Sequence, residues 1–583
     1  MASSSSANKA AVFLFFLLTV VILFLILFSG IDHAVDPVSL LPHDTVVLID
    51  VKKPAETINK LRKSKLGIQV NSIEWQEVLQ DIGIQEEDVQ ELLLLADELE
   101  TFIRGPFFNE LFASRVLLGL LPAESSDLEM TRERIGIDKM MVLMARPRHR
   151  ASLVDFFAGF ALDEFEQTEE SYKGRKIKTF VREGGYRFST TVTDGIVIAS
   201  FSPQLVKRCI DNALNNITSG GAGLQGNVHY RELKKQARGH DDQFVYIDIL
   251  ELNSMIENNT QASVYPPHSG SNTTFFYRKE PAVKRLAFYR HPGKQTVNYS
   301  GIVQYNPGYA GFHQTLFNRK KPDRDAILAL LPDNNVIHLW INVFDSKKIW
   351  SALCSSGKNI YIRALVRNLE EWIAVNTEYS MDEFLSLFGS QISLNVAEMK
   401  SSGIFPMPRL SLCIEVRDRD KVRALLDNLF AGLQVRQTTV GGKEIHSVIL
   451  AGGLMQPSYM FHHNFLVVAD NKEQLELLLS GEKNTLLLDP LFKKVDVGLT
   501  EANNVVLYFR NAEMIDGLKE LVRWYGSLLQ LFDNQPEEKN RVILEKIILP
   551  VLEGMKMYQV KSFRVYTTDA EMIMRTSQLP EKE

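Results

Sequence analysis

The hydrophobic and polar positions of this chain repeat one arrangement twice. Leu331-Pro332-Asp333-Asn334-Asn335 precedes the apolar run Val336–Ile341, and a helical pattern through Ile349, Trp350 and Leu353 follows. Near the N-terminus, Leu41-Pro42-His43-Asp44-Thr45 precedes Val46-Val47-Leu48-Ile49, followed by a helical pattern through Ile58 and Leu61. A polar turn, a buried strand and an amphipathic helix cannot hide their own apolar face, so each such unit predicts the start of a larger body.

Further blocks recur in the same order. Phe108-Asn109-Glu110-Leu111-Phe112-Ala113-Ser114 leads into a strand through Val116 and Leu118. Phe384-Leu385-Ser386-Leu387-Phe388-Gly389-Ser390 leads into Ile392 and Leu394. The strand Met140–Ala145 and a helix through Leu153, Phe156, Phe157 and Phe160 correspond to the strand Leu410–Val416 and a helix through Val422, Leu425 and Leu429. Glycine-bearing turns at Gly174 and at Gly441-Gly442 open hairpins, and helices begin at Gln204-Leu205 and Gln474-Leu475. The strands Asp242–Asp248 and Asn503–Phe509 each lead into a helix, and a closing hairpin ends each half. Repetition over so long a period predicts duplication of a whole body rather than a solenoid. Period-two alternation such as Val297, Tyr299 and Gly301 predicts half-buried antiparallel strands.

The expected fold class is α+β: two tandem, internally duplicated modules of antiparallel sheet with packed helices, residues 41–307 and 326–580, joined by a linker at 308–325. Residues 74–104 read as one helical stretch with Trp75, Val78, Leu79 and Ile82 on one side. The runs Leu92–Leu95 and Leu486–Leu488 are too short to span a bilayer and read as core.

Residues 10–28 change the picture. They form 19 consecutive uncharged, mostly apolar residues, long enough at about 1.5 Å per residue to cross a hydrocarbon core of about 30 Å. Lys9 precedes the run and Asp32 and Asp36 follow it, so the expectation is an uncleaved anchor with residues 1–9 cytoplasmic and the bulk extracytoplasmic. A removed signal peptide is the rival reading; its apolar region is usually shorter and ends in a small-x-small site.

Length adds that 583 residues exceed one core. The net charge of −6 argues against a basic nucleic-acid binder. Cys209, Cys354 and Cys413 lack metal-ligand spacing and form no even disulfide framework; all three read as buried small hydrophobes.

Chemistry-bearing motifs are few. Gly221-Ala222-Gly223-Leu224-Gln225-Gly226 matches the dinucleotide fingerprint but follows a helix, not a strand, and reads as a loop. His462-His463 would diverge on a strand and converge only in a turn. Arg146, Arg148 and Arg150 make a basic loop that could receive an anionic ligand. Lys60, Arg62, Lys63 and Lys65 could rest on anionic head groups. Sequons at Asn216, Asn258, Asn272 and Asn298 matter only for a eukaryotic source. The pattern predicts no cofactor, no metal site and no catalytic residue.

The apolar run, the Leu-Pro-x-[Asp/Asn]-x-Val opening, the Gly-Gly-Lys turn at Gly441 and the strand–helix step into Gln474-Leu475 resemble a bacterial family of membrane-anchored extracytoplasmic proteins of unknown function with duplicated α+β domains. The resemblance implies a bacterial cell-membrane protein with a periplasmic bulk; it transfers no functional residue. The expected function is a non-enzymatic scaffold or assembly subunit that engages protein partners or further copies of itself. The alternative is a module holding a lipid-like or apolar ligand at the membrane.

Overall fold

Alternation is the rule in the strands: side chains of each parity face one side of a pleated sheet, and burial along Gln243–Asp248 and Ile337–Ile341 switches at every residue. The computed structural model describes residues 35–122, 137–148, 165–181, 187–219, 223–237, 242–261, 283–293, 295–306, 321–355, 360–398, 408–480, 485–532 and 538–581. The expected anchor at 10–28, the helix through Leu153–Phe160 and Arg150 lie outside them. The architecture is α+β with extensive antiparallel pairing. No described helix is long and apolar enough to cross a membrane.

In chain order the first elements are β1 (Val47–Lys52), α1 (Pro54–Lys63), α2 (Lys65–Asn71), α3 (Trp75–Asp81), α4 (Glu86–Arg104), α5 (Pro106–Leu111), β2 (Arg115–Leu120) and β3 (Met141–Arg146). Next come β4 (Glu166–Tyr172), β5 (Arg175–Val181), β6 (Arg187–Thr193), β7 (Ile196–Ser200), α6 (Pro203–Ser219), α7 (Val228–Gln236), β8 (Gln243–Asp248) and α8 (Ile249–Gln261). They lead to β9 (Val283–Pro292) and β10 (Val297–Tyr305). The later elements are β11 (Ile337–Ile341), α9 (Ser346–Ser355), α10 (Ile360–Asn376), α11 (Met381–Ser386), β12 (Phe388–Glu398), β13 (Arg409–Val416), α12 (Arg419–Leu429), β14 (Gln434–Val440), β15 (Lys443–Ile449), β16 (Ser458–His462) and β17 (Phe465–Ala469). The chain closes with α13 (Lys472–Ser480), α14 (Pro490–Val495), β18 (Val505–Arg510), α15 (Asn511–Phe532), α16 (Glu538–Val542), α17 (Leu549–Met555), β19 (Tyr558–Thr567) and β20 (Glu571–Pro580).

These elements group into two compact units. The first takes the described residues among 1–60, 91–281 and 285–289; the second takes those among 61–90, 282–284 and 290–583. Strands of the first unit pair antiparallel in the order β4-β5-β6-β7-β3-β2-β1-β8. Strands of the second pair in the order β14-β15-β16-β17-β13-β12-β11-β18, continued by β19, β20 and β10.

The Leu-Pro turns fold alike because their backbones make the same bonds. The Thr45 N–H donates to the Pro42 carbonyl and the Asn335 N–H to the Pro332 carbonyl, both at 3.1 Å. The Leu224 N–H reaches the Leu41 carbonyl and the Leu486 N–H the Leu331 carbonyl, both at 2.8 Å. Just beyond, Asn227 and Asp489 accept bonds from first-turn amides and cap α7 and α14.

In the second unit Trp340, Tyr508, Phe492, Leu331 and Leu486 share one core, and Val422 and Leu425 of α12 pack with Phe461 and Leu466 in another. Ile73, Trp75 and Val78 pack against Val542 and Val551. There α2 and α17 approach so closely that a Cβ on Gly554 would stand 2.7 Å from Leu66 Cα.

Several expectations need correcting. The helical stretch 74–104 is two helices, because Gly83 adopts a left-handed φ of +85° that ends α3. Leu92, Leu94 and Leu95 are exposed rather than core, and Leu488 is exposed while Leu486 is buried. Cys209 and Cys413 are buried, but Cys354 is exposed, since α9 lies at the surface with no described side chain fully buried.

Candidate functional site

The residues singled out from sequence are scattered in role. Arg146 ends β3, and its guanidinium donates to the Val35 carbonyl. Arg148 is exposed, and its backbone N–H donates to the Glu110 carbonyl at 3.0 Å. Lys60 pairs with Glu56 at 2.7 Å one turn away on α1. Arg62 and Lys63 follow on the same helix, Lys63 exposed. Lys65 begins α2 and is tied to Glu553 at 3.3 Å and Glu581 at 3.4 Å. Glu553 also accepts from Lys519 at 2.6 Å and Lys556 at 3.0 Å. The Lys519 hydrogen bond, followed by those of Lys556 and Lys65, outweighs burial and lowers the Glu553 carboxyl to about 2.

The glycine-rich stretch is structural where described. A Cβ on Gly223 would stand 2.6 Å from Asn212 Nδ2 and 2.8 Å from the Leu41 carbonyl, so backbone packing explains the glycine. Gly441 and Gly442 take positive φ at the β14–β15 hairpin, as expected of a turn. His462 and His463 stand edge to face with ring centroids 4.4 Å apart, and burial lowers the His462 pKa. No group of three or more His, Cys, Asp or Glu among the described residues is placed to hold a metal ion.

Two buried polar arrangements were not foreseen. In the first unit Asp50, 2% exposed, accepts both Arg115 donors, Nε at 2.7 Å and an Nη at 2.6 Å. Burial alone would lower the Arg115 pKa; Asp50 and then Asp36 outweigh it and raise it. In the second unit the His338 Nε2 lies 2.5 Å from Asp325 Oδ2 and its Nδ1 2.6 Å from Asn395 Oδ1. Both the His338 and the Asp325 side chain are fully buried. Asp325 Oδ1 also accepts from the Ile327 and Leu328 amides, and Asn395 Nδ2 lies 3.8 Å from Cys413 Sγ. The His338 and Asp325 side chains lie away from solvent, and their bonds pin the chain ahead of β11.

What stands open to solvent is apolar. On α4, Leu92, Leu95, Leu99 and Phe102 recur at helical spacing and are all exposed, Leu95 at 62%. Val89 is the buried residue of that 19-residue helix. On α10, Leu365, Leu369, Trp372 and Val375 form an exposed stripe, Val375 at 82%, bordered by Ile373, which stands one turn beyond Leu369 and is buried. Each stripe occupies the same place in the order of elements: a long helix, a short helix, then β2 or β12. Singly exposed apolar residues are ordinary, but contiguous stripes mark interaction surfaces. The Leu92/Leu95/Leu99/Phe102 spacing was visible in sequence; whether anything covers it was not.

A second apolar surface lies on the sheets. Val245, Ile49, Leu118 and Leu143 stand side by side across β8, β1, β2 and β3. Leu507, Leu339, Leu394 and Leu412 do so across β18, β11, β12 and β13. Ile49 and Leu394 are exposed and the others half-buried.

No family model matches the chain, and no curated protein matches it. Among solved structures it is similar to crystal form III of TP0453, at a TM-score of 0.25 and 8% identity over 48% of this chain and 84% of that one. Crystal form I of TP0453 gives a TM-score of 0.24 and 9% identity over 48% of this chain and 83% of that one. At these scores the likeness carries no argument about this chain.

Proposed function

We propose that this chain is a membrane-anchored, extracytoplasmic scaffold or assembly subunit without enzymatic activity, engaging a protein partner through the stripes of α4 and α10. The observation that carries the reading is the pair of stripes itself: eight exposed large apolar side chains on two helices that precede corresponding strands. Water contact of such stripes costs free energy that a partner would remove, at about 25 cal/mol per Å² of apolar surface.

The reading includes an ancestral duplication, with modules at 41–307 and 326–580. The matching strand orders and the paired Leu-Pro turns support it. It places the run at 10–28 across a bacterial cell membrane, N-terminus inside, as in the anchored family that the sequence resembles. The length and charge asymmetry of that run support the placement.

A photo-crosslinking residue placed at Leu95 or Trp372 in intact membranes tests the proposal. Protein adducts at both positions are expected. Lipid adducts alone, or none, would remove the scaffold reading. A second reading is favoured by the half-open sheet rows: an apolar, lipid-like ligand lying along Ile49 and Leu118 or along Leu339 and Leu394. Co-purifying lipid that Leu394→Asp expels would identify that reading.

A further inference from the structure

In the second unit the open sheet face carries an unpaired cation beside its apolar row. Directly paired residues of antiparallel strands turn to the same face. One row therefore runs from Phe563 on β19 through Leu507, Leu339 and Leu394 to Leu412 on β13. The row beside it runs from Lys561 through Phe509 to Ile337. Leu394 is 39% exposed, and the other members of both rows are half-buried.

Lys561 Nζ lies 4.8 Å from the centroid of the Tyr558 ring. Among the described residues it makes no ion pair and no hydrogen bond, and burial lowers its pKa with no carboxylate to oppose it. The half-buried Lys519 and Lys556, by contrast, are both paired with Glu553. A cation drawn partly out of water without an anion costs free energy that a bound anion would offset. Two further polar groups gather at Tyr558. Burial, then Tyr299, raises the Tyr558 pKa and Arg290 opposes them, so both stand close to its hydroxyl. Tyr299 belongs to the Phe563 row, across Thr576. The Arg290 Nε is buried without a hydrogen-bond partner among the described residues.

Charge and length decide the occupant. An inorganic anion at Lys561 would leave the apolar rows in water, and an uncharged chain on the rows would leave Lys561 unpaired. From Phe563 to Leu412 is four strand spacings, about 19 Å. One acyl chain fills half of a bilayer core of about 30 Å, so a single chain suits the row. A carboxylate is compact enough to meet a lysine held against the sheet beside Tyr558. We propose that the open sheet face of the second unit binds a long-chain fatty acid, its carboxylate at Lys561 and its chain laid across Leu507, Leu339 and Leu394. The site rests on the apolar-ligand reading and names the ligand class and the residue that holds its head. Lys561 donates a charge-assisted hydrogen bond to the carboxylate, and Tyr558 and Arg290 are the further donors. Of the two units' apolar rows, Lys561 selects that of the second.

The test uses the full chain, stripped of co-purifying lipid and placed in phosphatidylcholine nanodiscs. Binding of labelled palmitate and of labelled hexadecanol, its uncharged counterpart, is measured against empty discs. The parent should bind palmitate about tenfold more tightly than hexadecanol, the worth of a hydrogen bond to a charged group. Lys561→Met should weaken palmitate about tenfold and leave hexadecanol no weaker. Leu394→Asp, at an exposed position, should weaken both. Discs of phosphatidylglycerol, which offer an anionic two-chain lipid, should not displace palmitate, nor should acetate.

Equal binding of palmitate and hexadecanol, or equal palmitate binding by the parent and Lys561→Met, would overturn the site. If Leu394→Asp still weakens both ligands in that case, the apolar-ligand reading stands without Lys561. Loss of both ligands in Lys561→Met would make the lysine a support of the face and would also overturn the site. Displacement by phosphatidylglycerol would make the occupant a two-chain lipid, and displacement by acetate a free anion; either overturns the fatty acid. If the parent binds neither ligand, or Leu394→Asp changes neither, the site and the apolar-ligand reading fall together.

Discussion

Strands β1 and β11 stand at the same place in two equally ordered sets of strands, yet they bury opposite chemistry. Eight residues after Pro42 comes Asp50, bonded to Arg115; eight after Pro332 comes Trp340, whose Nε1 donates to Gln391 at 3.3 Å. Two residues earlier the roles reverse. Leu48 lies beside Gly119, while His338 lies beside Asn395. Each unit thus carries a polar cluster two residues along the strand from where the other does. Strand order is fixed by alternation and turn geometry, and either placement serves provided each buried polar group has its partner.

The largest test of that comparison is Arg115→Ala. It leaves buried Asp50 with only the longer Lys234 ion pair at 3.8 Å and should cost about 3 kcal/mol, seen as faster amide exchange in β1, β2 and β8 with the second unit unchanged. Replacing both partners, Asp50→Leu with Arg115→Met, should recover most of the loss; failure to recover would mean the pair does more than satisfy itself. In the second unit, Asp325→Ala strips one His338 nitrogen and two backbone amides of their acceptor and should cost about 2–4 kcal/mol, with exchange rising in β11 and β12.

A smaller effect is expected where each unit makes a corresponding bridge within itself through a different residue. Gly223 bridges to Pro42, and Thr485 bridges to Pro332. Gly223→Ala should lose roughly 1–3 kcal/mol by overpacking against Leu41 and Asn212, while Thr485→Ala should stay within about 1 kcal/mol of the parent. Equal losses at the two sites would break the correspondence.

Acid should act mainly on the second unit through Glu553. Its folded value of about 2 lies below the ordinary 4.5, so its contribution is complete above that ordinary value and fades as pH falls through about 2. Glu553→Gln should lower stability by roughly 1–2 kcal/mol at neutral pH and flatten the acid limb. Thiol labelling carries no stability change. Cys354 should react in the native chain, and Cys209 and Cys413, both raised to about 12 by burial, only on unfolding.

The strand–helix order was legible because burial of one sheet face forces alternation, and the Leu-Pro turns because proline fixes φ and leaves few backbone choices. Coverage was not legible. Leu92, Leu95, Leu99 and Phe102 have the spacing of a core face, and periodicity reports which residues share a face without reporting what covers it. Cys354 was misjudged for the same reason. The His338 cluster stayed hidden because Asp325 and Asn395 approach it from 13 residues before and 57 after.

The central claim is that the stripes of α4 and α10 are covered in the working state. Hydroxyl-radical footprinting of the full chain, in its native membrane and after purification, measures this directly. The account predicts that Leu95, Leu99, Leu369 and Trp372 are protected together in the membrane and become reactive on dilution after purification. Equal, high reactivity of all four in both states would contradict it.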